Sequence, residues 1–428
     1  MSLAVDCICG KTFRARDDLA GKRVKCPGCG EIVAIPDSAP AASRANDRAP
    51  VPPNNKAPGP TKHKVDIDAL FRDLVTQDGS NLHVKPGRPP IFRVQGRLRE
   101  TNAEPLTVEQ VEDICAQLMD DRQRKLFDEN GGTDLAHIVE HGGKRWRFRI
   151  NIFMQMGQMA MIAQMVQPDI PNFEQLYLPP ILERLCKFDQ GMILVGGMTG
   201  CGKTTTIASM LDWINHNYRK HILTIEDPVE YVFDDDKCLI NQREIGVSVQ
   251  DFDIAMKHAV REDPDVILVG EMRDMDSFLT AMHAAETGHL VFGTIHCATA
   301  PSTIGRILDL FPQPMHAALR SSMAFNLKAI VVQKLVPTVR DEPQRVPAVE
   351  ILLFNATVRK LILEEQDDKL ADAISIGQQE GMQQFNESLH DFVTRGYISH
   401  QAAFESSPSP EELKMILKGI SVKARGIL

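Results

Sequence analysis

The 428-residue chain predicts an α/β protein: a phosphate-binding domain preceded by a smaller α+β domain and a small cysteine-bearing N-terminal module. Three observations carry that prediction. The apolar run Met192-Ile193-Leu194-Val195 leads into Gly197-Met198-Thr199-Gly200-Cys201-Gly202-Lys203-Thr204, and a helical pattern follows from Thr205 to Asn217. Downstream, further apolar runs end in acids or histidine, as buried parallel strands do beside a phosphate site. Two cysteine pairs, Cys7/Cys9 and Cys26/Cys29, precede a stretch rich in Ala and Pro.

Composition narrows the class. A net charge of -9 argues against a general nucleic-acid partner. No apolar run approaches the roughly 18 residues that a membrane span needs, and the N-terminus does not read as a signal peptide. Both readings favour a cytoplasmic protein that reaches a membrane only through partners.

In residues 1–36, each cysteine pair has glycine beside it (Gly10, Gly28 and Gly30), as a thiolate knuckle requires. Four thiolates, Cys7, Cys9, Cys26 and Cys29, complete a closed tetrahedral site, so the reading is a structural zinc ribbon. A redox role for Cys26-x-x-Cys29 is the rival, and it leaves the first pair without a purpose. A module this small has little core, so bound metal would supply most of its folding free energy, on the order of 10 kcal/mol. Residues 37–64 carry Ala, Pro, Asn and charge and read as a flexible linker.

Residues 65–170 read as the α+β domain. Ile67, Leu70, Phe71 and Leu74 mark one face of a helix; Ser80–Val84 and Ile91–Val94 flank the turn Pro86–Pro90. Leu106 to Phe127 reads as a helix opened by a capping box of Thr107 and Gln110. Lys144–Ile150 alternates charge with apolar residues, a half-buried strand.

Residues 171–428 read as the phosphate-binding domain with a helical C-terminal region. The motif fits G-x-x-x-x-G-K-[ST]: glycines let backbone N–H groups face phosphate oxygens, Lys203 reaches the terminal phosphates, and Thr204 is a natural magnesium ligand. His221–Ile225 leads to the acids Glu226, Asp227 and Glu230. Asp265–Val269 leads to Glu271, and Leu290–Ile295 lies between His289 and His296. From Pro301 to the end the chain reads as helices with short breaks, the last of them Pro410–Leu428.

Ile222-Leu223-Thr224-Ile225-Glu226-Asp227-Pro228-Val229-Glu230 resembles the Asp box of secretion ATPases. Arg261–Asp274 is similar to their Walker B region and Ala285–His296 to their His box. Within that superfamily the chain looks like the PilT-like type IV pilus retraction ATPases. Asn241–Glu244, Gly381–Gln384 and Ala356–Ile362, the last similar to an AIRNLI motif, carry this likeness, which spans about residues 65 to 400.

The resemblance implies a homo-hexameric ring whose subunits pair a PAS-like domain with a RecA-like ATPase domain, acting on an inner-membrane pilus platform protein. It implies ATP and magnesium. Gly197, Thr199, Gly200, Cys201, Gly202, Lys203, Thr204 and Thr205 would cradle the nucleotide, with Glu226 and His289 beside it. Glu230 would polarise the attacking water, Glu271 would organise the magnesium shell with Thr204, and His289 and His296 would report nucleotide state. Met198 and Cys201 stand where that family's loop is similar to Pro and Ser, and Gly157, Gln164 and Gln190 stand where it carries arginines. Arg147, Arg149 and Arg273 are the candidate substitutes. Two further readings stay open: a regulatory paralogue that binds nucleotide but hydrolyses weakly, and a pilus-assembly or type II secretion ATPase.

Overall fold

The computed structural model describes residues 2–6, 12–16, 22–29, 32–34, 65–166 and 169–420. The chain forms two compact units, Met1–His63 and Lys64–Leu428. In the first, β1 (Ser2–Asp6) pairs antiparallel with β2 (Thr12–Arg16), and β3 (Arg23–Lys25) with β4 (Ile32–Ala34). Cys26 and Cys29 sit between β3 and β4; Cys26 is buried, and the Gly28 N–H donates to its Sγ at 3.4 Å. Cys7, Cys9 and the linker 37–64 lie outside the described residues.

The second unit begins with α1 (Ile67–Thr76), which opens at Asp66, whose carboxylate accepts the N–H groups of Asp68 and Ala69. Ile67, Phe71 and Leu74 form its buried face. Then come β5 (Gly79–Val84), β6 (Ile91–Val94), β7 (Arg97–Glu100) and α2 (Val108–Leu118). The capping box of Thr107 and Gln110 is present. The sequence reads as one helix to Phe127, but the structure breaks it. Asp120 starts a second capping box with Gln123 and opens α3 (Asp121–Asn130). A side-chain cap competes with continuing the helix, and here it wins. The domain closes with β8 (Gly132–His141), β9 (Lys144–Gln155) and β10 (Gln158–Met165). The six strands form an antiparallel sheet in the order β7-β6-β5-β10-β9-β8, and Phe71, Phe92, Phe148 and Ile150 fill its core.

After α4 (Ile181–Leu185), β11 (Gly191–Gly196) leads through the glycine loop into α5 (Lys203–Asn217). Next are β12 (His221–Glu226), β13 (Leu239–Glu244), α6 (Phe252–Ala259), β14 (Val266–Val269), α7 (Met275–Glu286) and β15 (Leu290–Ile295). Then follow α8 (Ala300–Leu308), α9 (His316–Asn326), β16 (Leu327–Pro337) and β17 (Arg345–Leu353). The chain ends in α10 (Ala356–Leu363), α11 (Leu370–Ile376), α12 (Phe385–Thr394), α13 (His400–Ser406) and α14 (Pro410–Leu417).

The seven strands run β13-β12-β14-β15-β11-β16-β17, parallel except for β17. This is the α/β architecture expected. One expectation fails: the stretch after Pro301 is not helical throughout, because β16 and β17 interrupt it. Elements on both sides bury these strands, which removes the two-residue alternation that marks a half-exposed strand. The two domains of this unit meet where Arg147 of β9 pairs with Glu244 at the end of β13.

Candidate nucleotide site

The carboxyl ends of β11, β12, β14 and β15 lie side by side, and the chain leaves each of them into a loop that carries polar groups. Open parallel sheets bind ligands at this edge. A pocket of about 510 Å³ opens there, and Lys203, Thr204, Glu226, Glu230, Glu271 and His296 are among its walls.

The loop after β11 is built from close approaches. A Cβ on Gly197 would stand 2.5 Å from Cys201 Sγ, so the loop can fold against its own thiol only without that side chain. Gly202 sits at φ +90°, where a side chain would be strained, and α5 starts directly after it. The helix therefore begins at Lys203, two residues earlier than its apolar pattern suggests, and its first residues, Lys203, Thr204 and Thr205, line the pocket. Lys203 Nζ donates to the carbonyls of Gly197 at 3.0 Å and Met198 at 3.3 Å. Thr205 Oγ1 lies 2.9 Å from the Tyr231 hydroxyl. Cys201 is buried behind the loop, where desolvation raises its thiol pKa.

The acids divide by environment. Glu226 is buried, and burial pushes its carboxyl up to about 7 against hydrogen bonds from Thr224 Oγ1 at 2.6 Å and Gln242 Nε2 at 3.2 Å. Glu230 is exposed on the pocket wall. Glu271 accepts from Arg273 Nη2 at 2.6 Å and has His296 Nε2 3.0 Å from its other oxygen. The Arg273 hydrogen bond leads the effects that hold the Glu271 pKa below the ordinary glutamate range. Hard carboxylate and hydroxyl oxygens at Glu271 and Thr204 suit a magnesium ion rather than a thiophilic metal.

The structure thus gathers Thr199, Gly200, Gly202, Lys203, Thr204, Thr205, Glu226, Glu230, Glu271 and His296 around one pocket, with Gly197 and Cys201 forming the back of its loop. It does not bring His289 there. His289 precedes β15, its Nδ1 lies 2.8 Å from the Ala284 carbonyl, and six strand residues, about 20 Å, separate it from His296. The resemblance implied a place for His289 beside the nucleotide, but within this chain it lies at the amino end of β15, away from the pocket.

Of the candidate arginines, Arg273 reaches the pocket, Arg147 is engaged by Glu244, and Arg149 lines a separate cleft. That cleft, about 520 Å³, lies between the domains and contains Gln164, Asn151 and Glu244; Asp227 and Pro228 wall both it and the nucleotide pocket. Sequence reasoning missed Arg345, which lines the pocket from the start of β17. It also missed a cavity of about 380 Å³ that shares Gly202, Thr205 and Arg345 with the pocket and is walled by Leu176, Leu178 and Pro347. No local motif signals either; they exist only because β16 and β17 extend the sheet.

The sequence profile of the family described as type II/IV secretion system protein matches residues 58–404. The type IV pilus retraction ATPase PilT of Pseudomonas aeruginosa is 39% identical over 347 residues, covering 81% of this chain and 99% of that protein. The type IV pilus ATPase PilU of the same organism is 34% identical over 354 residues, 83% of this chain and 92% of that protein. A crystal structure of the pilus retraction motor PilT with bound ADP superposes with a TM-score of 0.75 at 40% identity, covering 82% of this chain and 99% of that one. The match takes in both domains of the second unit and the whole pocket. The chain belongs to the type II/IV secretion system protein family.

Proposed function

We propose that this protein is an ATP-hydrolysing motor of type IV pilus retraction, acting as a hexameric ring of PAS-like and RecA-like domains at an inner-membrane platform protein. The observation that carries the reading is the meeting of the Lys203 loop with Glu230 and Glu271 in one pocket, in a chain 39% identical to a retraction ATPase along nearly all of that protein's length. Among the described residues no helix is long and apolar enough to cross a membrane, which fits action from the cytoplasm through partners.

In this mechanism the base would rest in the cavity beside Leu176 and Pro347. Lys203 leaves the Gly197 and Met198 carbonyls for the terminal phosphates. Thr204 and Glu271 would hold a magnesium ion, whose chemistry there would be to neutralise charge on the phosphates. Glu230 orients a water for attack on the γ-phosphorus, and ADP and phosphate leave. His296 senses the state of the site through Glu271, because the two already touch. Cys26 and Cys29, with Cys7 and Cys9 from outside the described residues, would hold a structural zinc ion. The Gly28 N–H bond to Cys26 Sγ is the donor–thiolate contact that such a knuckle uses.

A regulatory paralogue is the second reading, favoured by Gln164 in the interdomain cleft where an arginine would serve catalysis. Phosphate release by the purified chain, with Lys203→Ala as the blank, separates the two. A rate well above the blank supports the motor, and equal rates remove it. In cells, loss of the gene should give hyperpiliated, non-twitching cells; bald cells would indicate an assembly ATPase.

A further inference from the structure

Gln333, on β16, is a buried polar residue that hydrogen-bonds both the phosphate loop and the helix after it. Its Nε2 donates to the Cys201 carbonyl at 2.5 Å, and its Oε1 accepts from Thr206 Oγ1 in α5 at 2.8 Å. Its own carbonyl oxygen lies where a Cβ on Gly197 would approach to 2.5 Å, and its Nε2 lies 3.0 Å from the position a Cβ on Gly202 would take. Two of the loop's three glycines, Gly197 and Gly202, thus stand close against this residue.

The peptide group links this contact to chemistry. Because the Cys201–Gly202 peptide is planar and trans, its carbonyl and its N–H point in opposite directions. Holding the Cys201 carbonyl toward β16 turns the Gly202 N–H away from β16, on the side where the loop curls. The Cys201 carbonyl can only accept, so it fixes the amide of Gln333 with Nε2 toward the loop, and the Thr206 hydroxyl satisfies the other end by donating to Oε1.

We propose that Gln333 is a positioning residue for nucleotide phosphates: it pre-sets the Cys201–Gly202 peptide so that the loop meets the phosphate without rearranging. This rests on the nucleotide reading above. Its mark is a loss of phosphate affinity in a protein whose fold is intact, because the clamp acts on a single peptide of the loop.

The test uses the full-length protein and measures the Kd for ADP with magnesium, together with the thermal midpoint without nucleotide. Gln333→Met, close in shape but without donor or acceptor, should weaken ADP binding about tenfold while the unliganded midpoint stays within a few degrees of wild type. Thr206→Val, which leaves Oε1 of Gln333 without its donor and so loosens the amide, should weaken it about threefold. It decides the matter if the Met variant does not fold. Wild-type affinity in the folded variants would overturn the proposal. If wild type binds ADP and Lys203→Ala does not, that failure belongs to Gln333 alone; if wild type does not bind ADP, the nucleotide reading itself has failed.

Discussion

Replacing Arg147 should destabilise the second unit more than any single surface change, and the amount follows from burial. In the Arg147–Glu244 pair the two side chains are 17% and 8% exposed, so solvent screens it little. In Arg147→Met, Glu244 would keep only the Val229 N–H, at 3.3 Å. Breaking one side of a buried pair costs about 3–5 kcal/mol, because the remaining charge loses its partner but stays desolvated. The surviving N–H bond argues for the lower figure, about 3 kcal/mol. Adding Glu244→Leu should restore most of the loss, since an apolar pair strands no charge. Urea unfolding of wild type, both single variants and the double variant completes the cycle. A loss under about 0.5 kcal/mol for Arg147→Met, or a double variant as weak as the sum of the singles, would refute the reasoning.

Three further outcomes follow from the site. Burial raises the Glu226 pKa in the folded state, so its contribution to stability is complete below the ordinary glutamate range and is lost as pH rises through about 7. Glu350, also raised to about 7 by burial, acts with the same sign, and Glu226→Gln should remove part, not all, of the fall in thermal midpoint between pH 5 and 8. Arg273→Gln should let the Glu271 pKa rise toward its ordinary range and lower kcat about tenfold with a smaller change in KM; an unchanged kcat would exclude Arg273 from the chemistry. Removing magnesium with EDTA should bring phosphate release down to the Lys203→Ala blank, and restoring magnesium should recover it, whereas turnover that survives EDTA would argue against Thr204 and Glu271 as metal ligands.

What could be read from the sequence depended on how local its cause was. The phosphate loop was legible because its backbone needs glycine at Gly197 and Gly202 and its chemistry needs Lys203 within the same eight residues. Glu226 and Glu271 were legible because each closes a short apolar strand. β16 and β17 were not, since burial on both sides removes the alternation and a continuous apolar run also fits a buried helix. Gln333 and Arg345 went unseen with them. The pairing of Arg147 with Glu244 joins residues far apart in the chain, and nothing local signals it. His289 was placed beside the nucleotide only by the family resemblance, and in this chain it stands at the other end of β15 from His296.

Asp227 and Pro228 face two chambers at once, the nucleotide pocket and the cleft between the domains. A shift of this dipeptide changes a wall of both chambers at once. On the mechanism proposed above, a change in the nucleotide pocket would reach the cleft through these two residues directly, with no long chain of intermediaries.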